Sequence, residues 1–211
     1  MHLGSHATSD LFASVSDGER PPEGLTLVPG YLPPPHQAEL LARIDALPWR
    51  TDLKRRVQHY GWRYDYRARR VAADDRIGPL PGWLAREAER LVADGWFSEQ
   101  PDQAIVNEYL PGQGITAHVD CEPCFGKTIA SLSLGSACVM ELRERGSGGR
   151  MSLVLEPGSL LVLSGPARHD WTHAIPARKS DPIGGVRRPR ERRVSITFRT
   201  VTLGQHAPPW G

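Results

Sequence analysis

The sequence has no long hydrophobic run and no export signal. No apolar stretch approaches the roughly 20 residues that are needed to span a bilayer. The first residues also lack the basic-then-apolar order of a secretory signal peptide. These absences argue against a membrane protein or an exported one. We therefore expect a cytoplasmic protein without a membrane partner.

Cysteine is scarce, with only Cys121, Cys124 and Cys138 in the chain. Three cysteines without a signal peptide do not indicate a disulfide framework. The Cys-x-x-Cys spacing of Cys121 and Cys124 is that of half a zinc site, but no second pair completes it. We favour free thiols in a loop and keep metal binding by this pair as the alternative.

Two common catalytic motifs are also missing. The chain has no Gly-x-Ser-x-Gly elbow for a serine nucleophile and no Gly-x-x-x-x-Gly-Lys loop for phosphate binding. These absences argue against a serine hydrolase of the elbow type and against a P-loop nucleotide hydrolase.

Lysine is rare, since only Lys54, Lys127 and Lys179 contribute to the 26 basic residues. The net charge is only +2, but the basic residues cluster. Residues 50–70 hold eight basic and two acidic side chains, and residues 178–193 hold seven and two. Two basic segments on a nearly neutral chain favour a polyanion such as nucleic acid as the partner. A solvated arginine-rich surface is the alternative.

The first basic segment also mixes tyrosine and tryptophan with arginine between residues 55 and 66. Aromatic faces stack on bases while arginines hold phosphates. We take four residues here as candidate substrate contacts: Arg56, Tyr60, Tyr64 and Arg67. The same stretch is equally compatible with an amphipathic strand that packs its aromatic side chains against the body of the protein.

Glycine and proline are abundant, with 21 and 19 residues, which favours a fold with many turns over a helix bundle. Residues 1–23 are rich in small, acidic and proline residues and are expected to be a disordered lead-in. Residues 24–203 are expected to form a single domain, followed by a C-terminal tail at 204–211.

Two helices are predicted in the first half of this domain. After a short strand at 24–29, leucine and isoleucine recur at helical spacing from Leu40 to Leu47, and Pro48 ends the helix. A second amphipathic helix is predicted from Trp83 to Asp94.

From Gln103 onward the apolar residues recur in short β-prone bursts that are separated by turn residues. Eight strands are predicted, at residues 104–109, 116–119, 128–134, 137–142, 151–155, 159–164, 173–175 and 193–201. Short strands with regular turns are typical of a sandwich or jelly roll. The predicted fold class is α+β and mainly β: a double-stranded β-helix (jelly roll) with two N-terminal helices bracing one face.

His118 and Asp120 are two residues apart, so on a strand they point to the same face. With a second histidine they would form a 2-His-1-carboxylate triad, which leaves open positions on a non-haem Fe(II). We predict His173 as that ligand, because early and late strands of a jelly roll are neighbours. His169 is a rival, but it precedes the strand-like segment. The open positions suit a 2-oxo acid and O2.

Two further polar pairs have strand spacing. Arg193 and Arg199 are six residues apart and therefore point to one face, which Ser195 shares. Two guanidinium groups can each bind a carboxylate through two hydrogen bonds. Asn107 and Tyr109 are similarly related and offer an amide and a phenol. Together these residues predict a polar pocket for a dicarboxylate co-substrate.

These motifs, in their order and spacing, resemble the AlkB family of Fe(II)/2-oxoglutarate dioxygenases from about Gly24 to Val201. The matching segments are Asn107-x-Tyr109, Pro111-Gly-Gln-Gly-Ile-Thr-Ala-His118-x-Asp120, Ser131-Leu-Ser-Leu-Gly135, Trp171-Thr-His173 and Arg193-Val-Ser-Ile-Thr-Phe-Arg199. Within the family the chain is most similar to the AlkB domain of the eukaryotic homologue that is fused to a tRNA methyltransferase. That similarity includes His59-Tyr60-Gly61-Trp62.

The resemblance implies a set of cofactor-binding residues. Fe(II) would be bound by His118, Asp120 and His173. The oxalyl end of 2-oxoglutarate would be held by Asn107 and Arg199, and its distal carboxylate by Tyr109 and Arg193. The founding repair enzyme has an asparagine at the position of Ser195, so one contact to the co-substrate is expected to be weaker or replaced.

The resemblance also implies the reaction, in which 2-oxoglutarate and O2 are consumed and an alkyl C–H bond is hydroxylated. A hydroxylated N-methyl group is lost as formaldehyde, whereas a hydroxylated carbon side chain stays. The first hypothesis is dealkylation of N-alkylated bases in DNA or RNA. The alternatives are hydroxylation of a modified tRNA base, of a protein or of a small molecule, and a non-catalytic binding module with this fold. We expect a monomer with nucleic acid as its partner and no obligate protein partner.

Overall fold

Antiparallel strands make up most of the structure, a computed structural model that describes residues 12–15, 21–51 and 53–203. The strands are β1 (Phe12–Val15), β2 (Leu25–Val28), β3 (Val57–Tyr60), β4 (Gln103–Tyr109), β5 (Ile115–His118), β6 (Phe125–Gly135), β7 (Cys138–Glu144), β8 (Arg150–Leu155), β9 (Leu160–Leu163), β10 (Trp171–Ile175), β11 (Ser180–Ile183), β12 (Val186–Pro189) and β13 (Arg193–Val201). The helices are α1 (Pro34–Asp45), α2 (Gly82–Ala93) and α3 (Gly165–His169), with one 3₁₀ turn at Ala73–Asp75.

The strands form two large sheets and one separate hairpin. The six-stranded sheet has the order β2-β9-β6-β13-β4-β3, and the five-stranded sheet has the order β1-β8-β7-β10-β5. The hairpin consists of β11 and β12. Leu153 of β8 and Leu161 of β9 belong to one buried apolar cluster, so the two large sheets share a core.

The two longer helices cover the other face of the six-stranded sheet. The prolines at the start of α1 are tolerated in a first helical turn, and the helix buries Leu40 and Ile44. The apolar stripe of α2 buries Leu84 and Leu91. All four side chains share a cluster with Phe198 of β13. The predicted fold class is confirmed, including the two helices that brace one face of the sheet.

Five described elements were not predicted, namely β1, the 3₁₀ turn, α3 and the two strands β11 and β12. β1 falls within the expected disordered lead-in but pairs with β8. Residues 1–11, 16–20 and 204–211 lie outside the described residues, so the expectations for them stay predictions. β3 forms part of the aromatic and basic stretch and pairs with β4, as the strand interpretation predicts.

The β11–β12 hairpin has no strand pattern in the sequence, because it contains Pro182 and Pro189 and exposes much of its surface. Ion pairs of Asp181 with two arginines stabilise the hairpin instead. The buried carboxylate of Asp181 accepts hydrogen bonds from Arg178 Nε at 2.6 Å and from Arg190 Nη2 at 2.8 Å. The sequence does not show that these side chains meet, so the hairpin could not be predicted from it.

No helix in the described ranges is long and apolar enough to cross a membrane.

Glu108 on β4 connects the two basic segments. Its side chain is 1% exposed. Its Oε1 accepts hydrogen bonds from Arg56 Nη2 at 2.7 Å and from Arg192 Nε at 2.6 Å. The hydrogen bond from Arg56, supported by that from Arg192, lowers the pKa of Glu108 against the opposing effect of burial. Two arginines of the clustered basic segments therefore act in an internal ion pair.

We expect Glu108→Gln to lower the free energy of unfolding at neutral pH by about 2 kcal/mol, because two partly hydrated arginines lose a buried counter-charge. A lowered folded-state pKa stabilises the fold above the ordinary value of 4.5, and this contribution is lost as the pH falls through the folded-state value. In urea unfolding, the difference between wild type and variant should therefore shrink as the pH is lowered below that ordinary value.

Glu39→Gln is the matched control. Glu39 pairs with Arg43 one turn along an exposed face of α1, and such surface pairs contribute little to stability. Equal losses in the two variants, or a loss in Glu108→Gln that does not vary with pH, would contradict the role given to Glu108.

Candidate active site

A cavity of about 800 Å³ opens between the two large sheets. The eight side chains that the sequence assigns to iron and co-substrate all line it. They are Asn107, Tyr109, His118, Asp120, His173, Arg193, Ser195 and Arg199. The structure therefore brings together residues that span more than 90 positions of the sequence, while their individual roles stay predictions.

Strand pairing brings the two candidate histidines together. His173 on β10 lies directly opposite His118 on β5, and the centroids of their rings are 4.3 Å apart. Asp120 follows the end of β5, and its Oδ2 lies 3.7 Å from Nε2 of His173. Two imidazoles and a carboxylate thus converge on one wall of the cavity.

The main chain sets the orientation of His118. Its Nδ1 lies 2.8 Å from the carbonyl oxygen of Thr116. Because a carbonyl can only accept, Nδ1 must carry the proton in this hydrogen bond. The lone pair then lies on Nε2, and a hydrogen bond of this kind is the usual orienting contact of a metal-binding histidine.

The protonation states at neutral pH suit metal binding. Burial lowers the pKa of His173 to about 4, so its ring is neutral and can offer a lone pair. Burial, the largest single effect, would raise the pKa of Asp120, but the guanidinium of Arg199 and the smaller effects of its other neighbours together outweigh burial and lower that pKa to about 2. Arg199 Nη2 donates to Asp120 Oδ1 at 2.6 Å. The carboxylate is therefore ionised.

Within the described residues, no three His, Cys, Asp or Glu side chains already form a complete metal-binding group. One oxygen of Asp120 is hydrogen-bonded to Arg199, and the other faces His173. The available donor set nevertheless fits Fe(II), which takes two imidazoles and one carboxylate and keeps open positions. The iron ligands therefore stay a prediction that the chemistry of these side chains supports.

The cavity also holds cationic groups with unused hydrogen-bond capacity. Arg193 is 3% exposed, and its Nη2 donates to Ser133 Oγ at 3.1 Å. Its Nε and Nη1 are buried without a hydrogen-bond partner, as is Nε of Arg199. Each such donor costs about 1–3 kcal/mol when it stays unpaired. An acidic ligand would remove this cost, so the pocket fits the dicarboxylate 2-oxoglutarate.

The residues around these arginines complete the pocket. Tyr109 lies face-on to Arg193, with the guanidinium carbon 5.4 Å from the ring centroid. Asn107 accepts a hydrogen bond from Arg55 Nε at 2.9 Å. Ser195 is opposite Asn107 in the pairing of β13 with β4. Asn107 and Ser195 are therefore cross-strand neighbours on the pocket wall.

The four candidate substrate contacts separate into two groups. Tyr64 lines the cavity. Arg56 instead pairs with Glu108, and Tyr60 packs edge-on against Trp83 of α2 with ring centroids 5.7 Å apart. Arg67 is exposed and does not line the cavity in the described part of the chain. This cavity therefore supports only Tyr64 of the four, because Arg56 and Tyr60 face Glu108 and α2 and Arg67 is exposed outside the lining. A role of these three residues in substrate binding stays a prediction.

Several pocket residues were not singled out from the sequence. They are Arg55, Tyr66, Arg69, Glu122, Met140 and Arg145. The hydroxyl of Tyr66 is buried without a hydrogen-bond partner. For Arg55, Tyr66 and Arg69, the mixture of arginine and tyrosine in residues 55–69 was a sequence signal that could have indicated a binding role. No sequence signal indicated Met140 or Arg145. They lie on β7 and in the turn after it, and only the packing of the sheets brings them to the cavity.

A disulfide joins Cys121 and Cys124 directly after Asp120. The interpretation of both residues as free thiols is therefore wrong, and the disulfide also removes them as zinc ligands. The cause is a tight turn, in which the amide of Cys124 donates to the carbonyl of Cys121 at 3.2 Å and the Cα atoms lie 5.2 Å apart. Cys138 is buried and free.

The family described as 2OG-Fe(II) oxygenase superfamily matches residues 24–199 of the chain. The chain is 37% identical over 211 residues to the Alkylated DNA repair protein ALKBH8 homolog of Arabidopsis thaliana, with 89% of this chain and 61% of that protein covered. It is 35% identical over 182 residues to the uncharacterized protein L905 of Acanthamoeba polyphaga mimivirus, with 84% and 85% covered.

The chain is also similar to part of a larger mouse protein and to solved structures. It is 38% identical over 167 residues to tRNA (carboxymethyluridine(34)-5-O)-methyltransferase ALKBH8 of Mus musculus, covering 70% of this chain but only 24% of that protein. The structure of OsALKBH1 matches with a TM-score of 0.64 at 18% identity, covering 86% of this chain and 99% of that one. At that identity the likeness shows the fold alone.

We expect a thiol reagent to modify one cysteine of the denatured protein before reduction and all three after it. Closing so short a loop should stabilise the fold by about 2 kcal/mol. A reductant should therefore lower the free energy of unfolding of the wild type but not that of the Cys121→Ser/Cys124→Ser variant. Mass spectrometry and urea unfolding measure the two effects. Three modified thiols before reduction would contradict the disulfide.

Proposed function

The chain belongs to the 2OG-Fe(II) oxygenase superfamily, and we propose that it removes alkyl groups from N-alkylated bases in DNA or RNA. Family membership and relatives named as AlkB homologues establish the enzyme class and its use of Fe(II), 2-oxoglutarate and O2. The observation that supports the proposal is one cavity that combines the His118, Asp120 and His173 donors with buried arginines whose N–H groups lack partners.

We assign the cofactor-binding roles as the resemblance to the AlkB family implies. We assign the iron to His118, Asp120 and His173, and the distal carboxylate of 2-oxoglutarate to Arg193 and Tyr109. We assign the oxalyl end to Asn107 and Arg199, which also line the cavity. Arg199 would keep Asp120 ionised through Nη2 while its Nε remains available for the co-substrate.

When bound, the iron supplies O2 activation, so that one oxygen atom oxidises 2-oxoglutarate to succinate and CO2 and the other hydroxylates the alkyl group. On an N-methyl group the product is an N-hydroxymethyl group, which breaks at the C–N bond and releases formaldehyde, with a proton returned to the base nitrogen. Apolar side chains such as Ile129 and Leu163 line the cavity beside the polar groups and would limit the access of water to bound reactants.

Aromatic and basic side chains in the cavity lining support a base as the substrate. Tyr64 and Tyr66 form an aromatic wall, with ring centroids 5.0 Å apart, on which a flipped base can stack. Arg69 and Arg145 also line the cavity and can contact phosphates. Several arginines of the two basic segments are used in ion pairs within the protein, namely Arg56, Arg178, Arg190 and Arg192. The nucleic-acid hypothesis therefore rests on the aromatic and basic side chains that line the cavity.

A second candidate is hydroxylation of a modified tRNA base. It is favoured by the identity to a mouse protein that is named as a tRNA methyltransferase. The match covers only 24% of that protein, so we do not propose its named methyltransferase activity for this chain. The matched segment would contribute only the oxidation of a side chain on the base, and the hydroxyl group would then remain attached.

Nucleoside mass spectrometry separates these candidates. Purified protein with Fe(II) and 2-oxoglutarate is incubated with N-methylated oligonucleotides or with bulk tRNA, and His118→Ala is the matched inactive control. Loss of the methyl group with release of formaldehyde supports dealkylation. The gain of one oxygen on a tRNA nucleoside supports the second candidate. No change in either substrate would exclude both and would favour a protein or small molecule as the substrate.

We expect His118→Ala and Asp120→Ala to abolish the turnover of 2-oxoglutarate, because each removes one of only three proposed iron ligands. Succinate formation without a prime substrate is the measurement, and circular dichroism confirms that each variant folds. Turnover retained in both variants would contradict the assignment of the iron site.

We expect Arg193→Ala to raise the KM for 2-oxoglutarate at least about tenfold, because a charge-assisted pair with a carboxylate contributes about 1.5–3 kcal/mol. The turnover number at saturating co-substrate should change less. Arg43→Ala is the control, since Arg43 lies on the exposed face of α1 and pairs with Glu39. An unchanged KM in Arg193→Ala would remove Arg193 from the co-substrate site.

A further inference from the structure

Arg168 is a buried arginine that lies behind the wall of the candidate active site. It belongs to α3, the short helix between β9 and β10, and its side chain is 2% exposed. Its Nη1 donates to the carbonyl oxygen of Asp120 at 2.9 Å, and its Nη2 lies 3.5 Å from the carbonyl oxygen of Cys121. It is not among the cavity-lining side chains of the described residues.

The surroundings of Arg168 are unusual for a buried cation. Both hydrogen bonds described for its guanidinium go to main-chain carbonyls, and its Nε has no partner. Burial lowers the pKa of Arg168, and the carboxylates of Asp120 and Glu122 oppose this effect. Burying a charge without a directly bonded carboxylate is costly. An apolar side chain would fill this position at lower cost, so the contact to the Asp120 main chain calls for a functional reason.

The main chain at Asp120 needs such support because the sheet does not provide it. The pairing of β5 with β10 runs from Ile115 to His118, so it ends before Asp120. Beyond that point the chain enters the turn at Cys121, whose carbonyl also accepts the amide of Cys124. The guanidinium group of Arg168 contacts the carbonyl oxygens of Asp120 and Cys121, and so connects the segment after β5 to the start of this turn.

The position of Arg168 in the chain links the two halves of the metal site. Arg168 lies five residues before His173, and β10 begins at Trp171, just after α3. A side chain anchored in α3 therefore fixes the carboxylate-bearing segment relative to the strand that carries the second histidine. A displacement of α3 would move Asp120 and His173 relative to each other.

We infer that Arg168 is a positioning residue for the iron site, which holds the main chain of Asp120 in register with His173. The inference rests on the proposed assignment of His118, Asp120 and His173 as the iron ligands. It predicts that the loss of Arg168 weakens metal binding before any substrate or co-substrate is involved.

The test is a titration of the metal-free protein with Co(II) alone, followed by the visible absorption of the bound ion. Removing an outer-shell partner of a metal ligand typically weakens metal affinity by about 10- to 100-fold, and we expect Arg168→Met to fall in that range. Arg168→Lys keeps the charge but can reach only one of the two carbonyls, so its affinity should lie between those of Arg168→Met and the wild type.

Arg90→Met is the matched control. Arg90 on α2 also donates to a main-chain carbonyl, that of Tyr31 at 3.0 Å, but on the helical side of the sheet. We expect its Co(II) affinity to equal that of the wild type, whatever its effect on the melting temperature. The comparison separates a local effect on the site from a general loss of stability.

Three results would overturn the inference. Arg168→Met could bind Co(II) as tightly as the wild type, or Arg90→Met could weaken binding equally. If Arg168→Met does not fold, a Co(II) affinity of Arg168→Lys equal to that of the wild type would also overturn the inference. Failure of the wild type itself to bind Co(II) would remove the metal site as well, which distinguishes an error in the proposed function from an error about Arg168.

Discussion

The alternation of side chains along β13 is the constraint on which the rest of the structure depends. One face of this strand places Val194, Ile196 and Phe198 in the core beneath the two helices. The other face directs Arg193 and Arg199 into the cavity between the sheets. A slip of one residue would bury both guanidinium groups beneath the helices and expose the apolar side chains to the pocket. The same register therefore stabilises the fold and builds the co-substrate site.

Charge inside the protein is divided between structure and function. Some buried ions are satisfied by the chain itself, as Glu108 is by Arg56 and Arg192. The cavity differs, because Arg193 retains N–H groups that no described residue accepts. Leaving such donors unpaired destabilises the free protein, and a bound dicarboxylate would recover that free energy. The asymmetry between the satisfied and the unsatisfied arginines is what separates a structural ion pair from a binding site.

The strands could be predicted from the sequence because local patterning decides them. From Gln103 onward, apolar bursts between glycine and proline turns indicate the strands of the jelly roll, and all eight predicted strands have counterparts in the structure. Local patterning fails where a distant partner decides the conformation. The β11–β12 hairpin depends on Asp181 pairing with Arg190, and β1 depends on β8. The Cys121–Cys124 disulfide depends on a turn that brings two cysteines together, which their spacing alone leaves open.

The sequence by itself determined the fold class through its strand periodicity and the enzyme family through the resemblance of its motifs. It also determined eight of the polar residues that line the pocket, because most of them lie at even spacing on strands and so share one face. Only the tertiary structure decided which of them meet. It placed His173 opposite His118 through the pairing of two strands that are far apart in the chain. It also turned Arg56 and Tyr60 away from the cavity and placed Arg168 behind Asp120. These outcomes depend on how sheets and helices pack across long sequence distances, which no local pattern encodes.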